Sequence, residues 1–145
     1  MSGTDIKRAD YKRWVKIEVR WGDMDAVGHV NNGKYFTYCE SARIFYFREL
    51  NIGKLSESLH GPALATANLN FRRQVHYPAS LEVGVRVSSV RNRSFQMDYA
   101  IFLEGTETHV ADGSSVIVWA DYKAGKSLEL PAEIKAEIEK IEGSK

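Results

Sequence analysis

Two aspartates, a histidine and two asparagines fall close together in Trp21-Gly22-Asp23-Met24-Asp25-Ala26-Val27-Gly28-His29-Val30-Asn31-Asn32. A carboxylate in such a loop can attack a carbonyl carbon or take a proton from water. The loop feeds directly into a segment with a helical pattern, and a helix N-terminus presents unsatisfied N–H groups with a partial positive charge. A carbonyl oxygen set on those groups would be polarised, and the oxyanion of an acyl-transfer step stabilised; losing one such donor costs roughly 2.7–4 kcal/mol. Gly28 and Gly33 carry no side chain, so a ligand can approach the backbone closely. The same residue types also serve turn formation and helix capping, so chemistry and structure compete as explanations at this point.

These groups act together only if the chain holds them in a frame. Lys34 to Leu50 contains no Gly or Pro and predicts a helix of four to five turns. Apolar residues run nearly all round it and leave a narrow polar stripe through Lys34, Thr37, Ser41 and Arg48, which predicts burial on most sides. Asn31 or Asn32 is expected to cap its start, and Asn51 and Gly53 to end it. Before it, Val15, Ile17, Val19 and Trp21 alternate with charged residues and predict a strand with one buried face. After it come four further strands. Leu64 to Val75 is the first, closed by Tyr77-Pro78. Leu81, Val83, Val85 and Val87 mark the second, and Phe95, Met97, Tyr99, Ile101 and Leu103 the third. Thr106 to Tyr122 is read as one long strand with a bulge at Asp112-Gly113. Pro131 opens a short helix, to about residue 142, with Ile134, Ile138 and Ile141 on one face. The prediction is an α+β fold: a five-stranded antiparallel sheet wrapped around a long central helix, with its core at about residues 14–122 and a short C-terminal helix. One helix cannot cover such a sheet completely, which favours self-association.

The string Asp23 to Tyr35, D-M-D-A-V-G-H-V-N-N-G-K-Y, resembles the motif of hotdog-fold thioesterases in the 4-hydroxybenzoyl-CoA thioesterase and YbgC-like group. The order of elements fits that group from Trp14 to about Tyr122. Val75-His76-Tyr77-Pro78 and Arg91-Asn92-Arg93-Ser94-Phe95 look like its later strand and loop signatures. The resemblance implies an acyl-CoA thioesterase in which Asp25 is the catalytic carboxylate, as nucleophile or as base on water. It puts the polarising backbone N–H near Asn32. It also implies a homodimer whose sheets join edge to edge, with active sites at the interface and dimers able to pair into tetramers. An acyl-carrier-protein thioesterase is an alternative, although enzymes of that kind carry an asparagine where this chain has Val27. A hotdog module that binds acyl-CoA without cleaving it is another. A hotdog dehydratase fits less well, since its helical His with an acidic partner is not visible.

Other polar residues carry smaller expectations. Asp23 is read as holding the loop. His29 is a candidate for orienting substrate or water, since a neutral imidazole both donates and accepts. Glu40, on the helix, is a secondary carboxylate candidate that burial would perturb. Arg72, Arg73, Arg91 and Arg93 are the strongest local basic cluster; if the flanking strands pair they can converge on CoA phosphates, with Arg91 and Arg93 favoured. Asn51 to Gly61, with Leu55 and Leu59, is expected to cover the acyl pocket.

The bulk composition narrows the field. The 145 residues fit one domain, and 20 Lys and Arg against 19 Asp and Glu leave a net charge of +1. That balance gives no electrostatic reason to propose nucleic acid or a membrane surface as partner. Cys39 is the sole cysteine, which excludes an intrachain disulfide, and its neighbours mark it as core. His60, His76 and His109 are scattered without metal-ligand spacing, and nothing asks for a cofactor. No leader-like segment or membrane-length apolar run appears, so a soluble cytoplasmic protein is expected.

Overall fold

In the computed structural model, which describes residues 6–52 and 59–143, the elements run β1 (Arg13–Glu18), α1 (Asn32–Glu49), β2 (His60–Phe71), β3 (Ser80–Val90), β4 (Ser94–Leu103), β5 (His109–Asp121), β6 (Lys126–Ser127) and α2 (Ala132–Glu142). Short 3-10 turns lie at Arg8–Asp10 and Trp21–Asp23. The sheet is antiparallel in the order β1-β3-β4-β5-β2, with β6 added on β5. Alternation decides its inner face: Leu81, Val83, Val85 and Val87 on β3 and Phe95, Met97, Tyr99 and Ile101 on β4 are all buried. They form one core with Tyr35, Tyr38, Cys39, Ala42 and Tyr46 of α1. The sheet therefore curls around the long helix in the hotdog arrangement. Ile134, Ile138 and Ile141 seal α2 onto the same core. Glu142 fixes that helix further, its Oε2 accepting the Tyr46 hydroxyl at 2.7 Å and the Val87 N–H at 2.9 Å.

Several sequence expectations change. Trp21 is 76% exposed, because β1 ends at Glu18 and the chain turns into the Trp21–Asp23 coil before the alternation reaches it. β2 starts and stops four residues earlier than its apolar run. Pro62 is tolerated inside it because β2 lies at the sheet's edge. β5 is one long strand, as expected, but the irregularity is at Val110, skipped between the pairs Ile101–Ala111 and Phe102–His109. Gly113 sits in regular register, and a Cβ there would collide with the Asn68 carbonyl of β2.

The helix differs most. Tyr35, Tyr38, Cys39, Ala42, Arg43, Tyr46 and Phe47 are buried, whereas Phe36, Thr37, Glu40, Ser41 and Arg48 are exposed. α1 is thus covered on the sheet side only, and Glu40 is not buried. Asn31 is the cap, its side chain accepting the Gly33 N–H at 2.8 Å, a contact of about 1 kcal/mol. Asn51 closes the helix in the left-handed conformation with φ 60°. Gly53 and Leu55, in the expected cover, lie outside the described residues; Leu59 is 71% exposed. Among the described residues no helix is long and apolar enough to cross a membrane.

Candidate active site

The loop between β1 and α1 is built around its two aspartates. Asp23 is almost fully buried. Its Oδ2 accepts the Tyr38 hydroxyl at 2.6 Å and the Arg20 N–H at 3.1 Å, and its carbonyl accepts the Asn31 N–H at 2.9 Å. Burial alone would raise the Asp23 pKa, yet the Tyr38 and Arg20 hydrogen bonds outweigh it and leave the group below its ordinary value. Asp23 therefore fastens the loop to the helix start, as the sequence suggested.

Asp25 is organised differently. Its Oδ1 accepts the main-chain N–H of His29 at 3.0 Å and of Val27 at 2.9 Å, and its own N–H donates to the His29 carbonyl at 2.7 Å. Gly28 makes this tight wrap possible with φ 85°, a conformation side chains resist. The His29 N–H, followed by that of Val27, stabilises the charged form and holds the Asp25 carboxyl below the usual range. Oδ2 takes no donor among the described residues. The first turn of α1 offers its counterpart. Asn31 takes the Gly33 and Lys34 N–H groups, through its side chain and its carbonyl, while the Asn32 N–H has no acceptor among the described residues. Asp25, His29 and Asn32 line one cavity of about 420 Å³, closed on other sides by Tyr35 and Phe71 and rimmed by Arg72 and Arg73.

The remaining candidates separate. Gly28 stands beside the cavity, and its carbonyl accepts the Nδ1–H of His76 at 3.1 Å. His76 also packs its ring on His29 at 4.7 Å between centroids. The sequence placed His76 in the Val75-His76-Tyr77-Pro78 signature and discounted it as a metal ligand, without giving it a place beside His29. Glu40 lies outside the Asp25 cavity, in a smaller one farther along α1. The four arginines do not converge in the chain. The Arg72 and Arg73 N–H groups both reach the Val110 carbonyl, whereas the Arg93 carbonyl accepts the Trp119 N–H. That separation along β5 is roughly 25–30 Å. Arg72 is engaged by buried Asp112 at 2.8 Å, and Arg93 by the Ser127 carbonyl at 2.8 Å. The side chains of Arg73 and Arg91 have no partner among the described residues. Cys39 is buried and its thiol pushed up to about 12, consistent with core packing. Among the described residues no cluster of His, Cys, Asp and Glu can hold a metal.

A carboxylate and a helix N–H with no acceptor among the described residues line one cavity, an arrangement suited to attack on a carbonyl. Comparison with known proteins points the same way. The family model of the thioesterase-like superfamily matches residues 19–138. YsmA of Bacillus subtilis, an uncharacterized protein, is 32% identical over 115 residues, covering 78% of this chain and 76% of YsmA. The long-chain acyl-CoA thioesterase FadM of Escherichia coli is 27% identical over 128 residues, 87% of this chain and 96% of FadM. A thioesterase from Thermus thermophilus solved with coenzyme A and zinc superposes with a TM-score of 0.80 at 30% identity, covering 91% of this chain and 95% of that one. The chain belongs to the thioesterase-like superfamily and is a hotdog-fold thioester hydrolase.

Proposed function

We propose that this protein hydrolyses an acyl-CoA to the free acid and CoA, with Asp25 as the reacting carboxylate. The observation that carries the reading is the shared cavity: a carboxylate with one free oxygen and a helix N–H without an acceptor line the same space. The thioester carbonyl oxygen would accept the Asn32 N–H, which favours the developing oxyanion. Asp25 Oδ2 would then add to the carbonyl carbon, or take a proton from the water that does. In either case the C–S bond breaks, its electron pair and a proton give the CoA thiol, and a water oxygen ends in the acid. His29 is suited to orient that water. FadM, a long-chain acyl-CoA thioesterase, and the CoA-bound Thermus enzyme support CoA as the carrier.

The working unit in this reading is a homodimer. β2 is an edge strand of 12 residues. Antiparallel pairing of two β2 edges about their middle would bring the His60 end of one beside the Phe71 end of the other. Pro62 pairs with Trp119, next to Arg93, so the partner subunit's Arg91 and the partner's Arg93 would approach the Asp25 cavity. Together with Arg73 they would face the CoA phosphates, a role no single protomer fills. The test is thiol release from a panel of acyl-CoAs, short to long and aromatic, beside matched acyl-carrier-protein thioesters. Turnover of the CoA esters is expected. Turnover confined to carrier-protein esters, or acyl-CoA bound and never cleaved, would overturn the reading.

A further inference from the structure

Arg43 is out of keeping with the rest of the chain's charges. Arg8, Arg13, Arg72 and Arg86 each have a carboxylate partner although their side chains are 25–33% exposed. Arg43 is only 9% exposed, sits on the sheet-facing side of α1, and has no ion pair among the described residues. Among the described residues its one hydrogen bond runs from Nη1 to the Tyr99 hydroxyl at 3.1 Å, and that hydroxyl in turn meets Ser115 Oγ at 2.7 Å. A guanidinium stays charged in a protein, and a buried charge without an opposite one is costly.

The group is not sealed in. Arg43 and Tyr99 line a cavity of about 180 Å³ whose other walls include Phe36, Leu64 and Leu69. This cavity follows on from the Asp25 site along the same two elements: α1 contributes Asn32 and Tyr35 to the first and Phe36 and Arg43 to the second, and β2 contributes Phe71 and then Leu69. An acyl chain whose carbonyl rests on the Asn32 N–H would run past Phe36 and Leu69 towards Arg43. The axial distance from Asn32 to Arg43 is about 16 Å, and the arginine side chain leans back towards the helix start and shortens it.

We infer that Arg43 receives a carboxylate at the far end of the acyl group, so that the preferred substrates are ω-carboxyacyl thioesters of medium length. The carboxylate would replace the missing counter-charge with paired N–H donors, which a plain alkyl end cannot do. Glu40 lines the same cavity three residues earlier but forms no ion pair with Arg43 in the structure. This inference rests on the acyl-thioester reading, deepening it by naming a substrate class.

The experiment compares kcat/KM for suberoyl-CoA and octanoyl-CoA in wild type, Arg43→Met and Arg43→Lys. Isothermal titration with free suberate is run on the same proteins. The expected result is a wild-type ratio in favour of suberoyl-CoA that falls at least tenfold in Arg43→Met and less in Arg43→Lys. A wild-type preference for octanoyl-CoA overturns the inference and leaves the hydrolase reading intact, whether or not Arg43→Met folds. So does a ratio that neither folded variant moves, as when Glu40 or a second copy already neutralises Arg43. If neither CoA ester turns over, the titration decides. Suberate binding lost in the Arg43 variants supports the pocket and no suberate binding overturns it, while the hydrolase reading is decided separately by the full acyl-CoA panel.

Discussion

Asp25 Oδ1 accepts the main-chain N–H of His29 at 3.0 Å, and the two residues line one cavity. The loop thus holds this carboxyl in the charged form. The folded pKa lies below the unfolded value, so this contact adds stability above the ordinary carboxylate range, near pH 3.9, and loses it as pH falls through the folded value. Activity follows the same sign. The pH profile of kcat/KM is expected to show no limb from Asp25 between about pH 5 and pH 8. A midpoint in that window that responds to changes in the Asp25 loop would contradict the assignment.

The role given to Asn32 is a backbone one, and proline can separate it from the side chain. Asn31 has φ −60° and ψ 133°, conformations that a following proline accepts, and proline is well tolerated at the first helical position. Asn32→Pro is therefore expected to fold with an unshifted thermal midpoint while kcat falls roughly 10²–10³-fold. Asn32→Ala, which keeps the N–H, should lose far less. Equal losses in the two variants would assign the effect to the side chain.

Tyr38 supports the site from beneath. Tyr38→Phe leaves one lone pair of buried Asp23 without its donor, which should lower stability by about 1–3 kcal/mol in urea unfolding. Because Asp23 also holds Asn31, kcat is expected to fall with it. An unchanged urea midpoint would show that Asp23 does not depend on this contact.

The dimer is tested at the middle of β2. Thr66 is exposed on the edge strand, and Thr66→Lys would set two ammonium groups close together across a two-fold axis. Light scattering should report a monomer where wild type is a dimer, with kcat/KM on CoA esters lowered about tenfold or more as the partner's arginines withdraw. A monomeric variant with full activity would remove those arginines from the account.

Much of this was written in local pattern. The period-two runs of β3 and β4 named their buried residues, and the D-x-D loop before Asn31 and Asn32 marked the site, because alternation and capping are short-range effects. What was not legible depends on packing between distant segments. The apolar composition of α1 suggested cover on most sides, whereas the sheet reaches one face, so Phe36 and Glu40 stay open. Arg43 escaped notice although it lies four residues after Cys39 on the buried stripe, a position where a charge is a signal in itself. Convergence of the arginines depended on their flanking strands pairing, yet β5 lies between β2 and β4 and carries Arg72 and Arg93 to its opposite ends. His76 reached His29 only through the fold.

The most direct measurement is thiol release from the best acyl-CoA by wild type and Asp25→Asn, both checked for the same fold. The amide oxygen of asparagine still accepts the Val27 and His29 N–H groups, so the loop keeps its shape while the charge is lost. A fall in kcat of roughly 10²–10⁴-fold is predicted. Turnover within a few fold of wild type would contradict Asp25 as the reacting carboxylate.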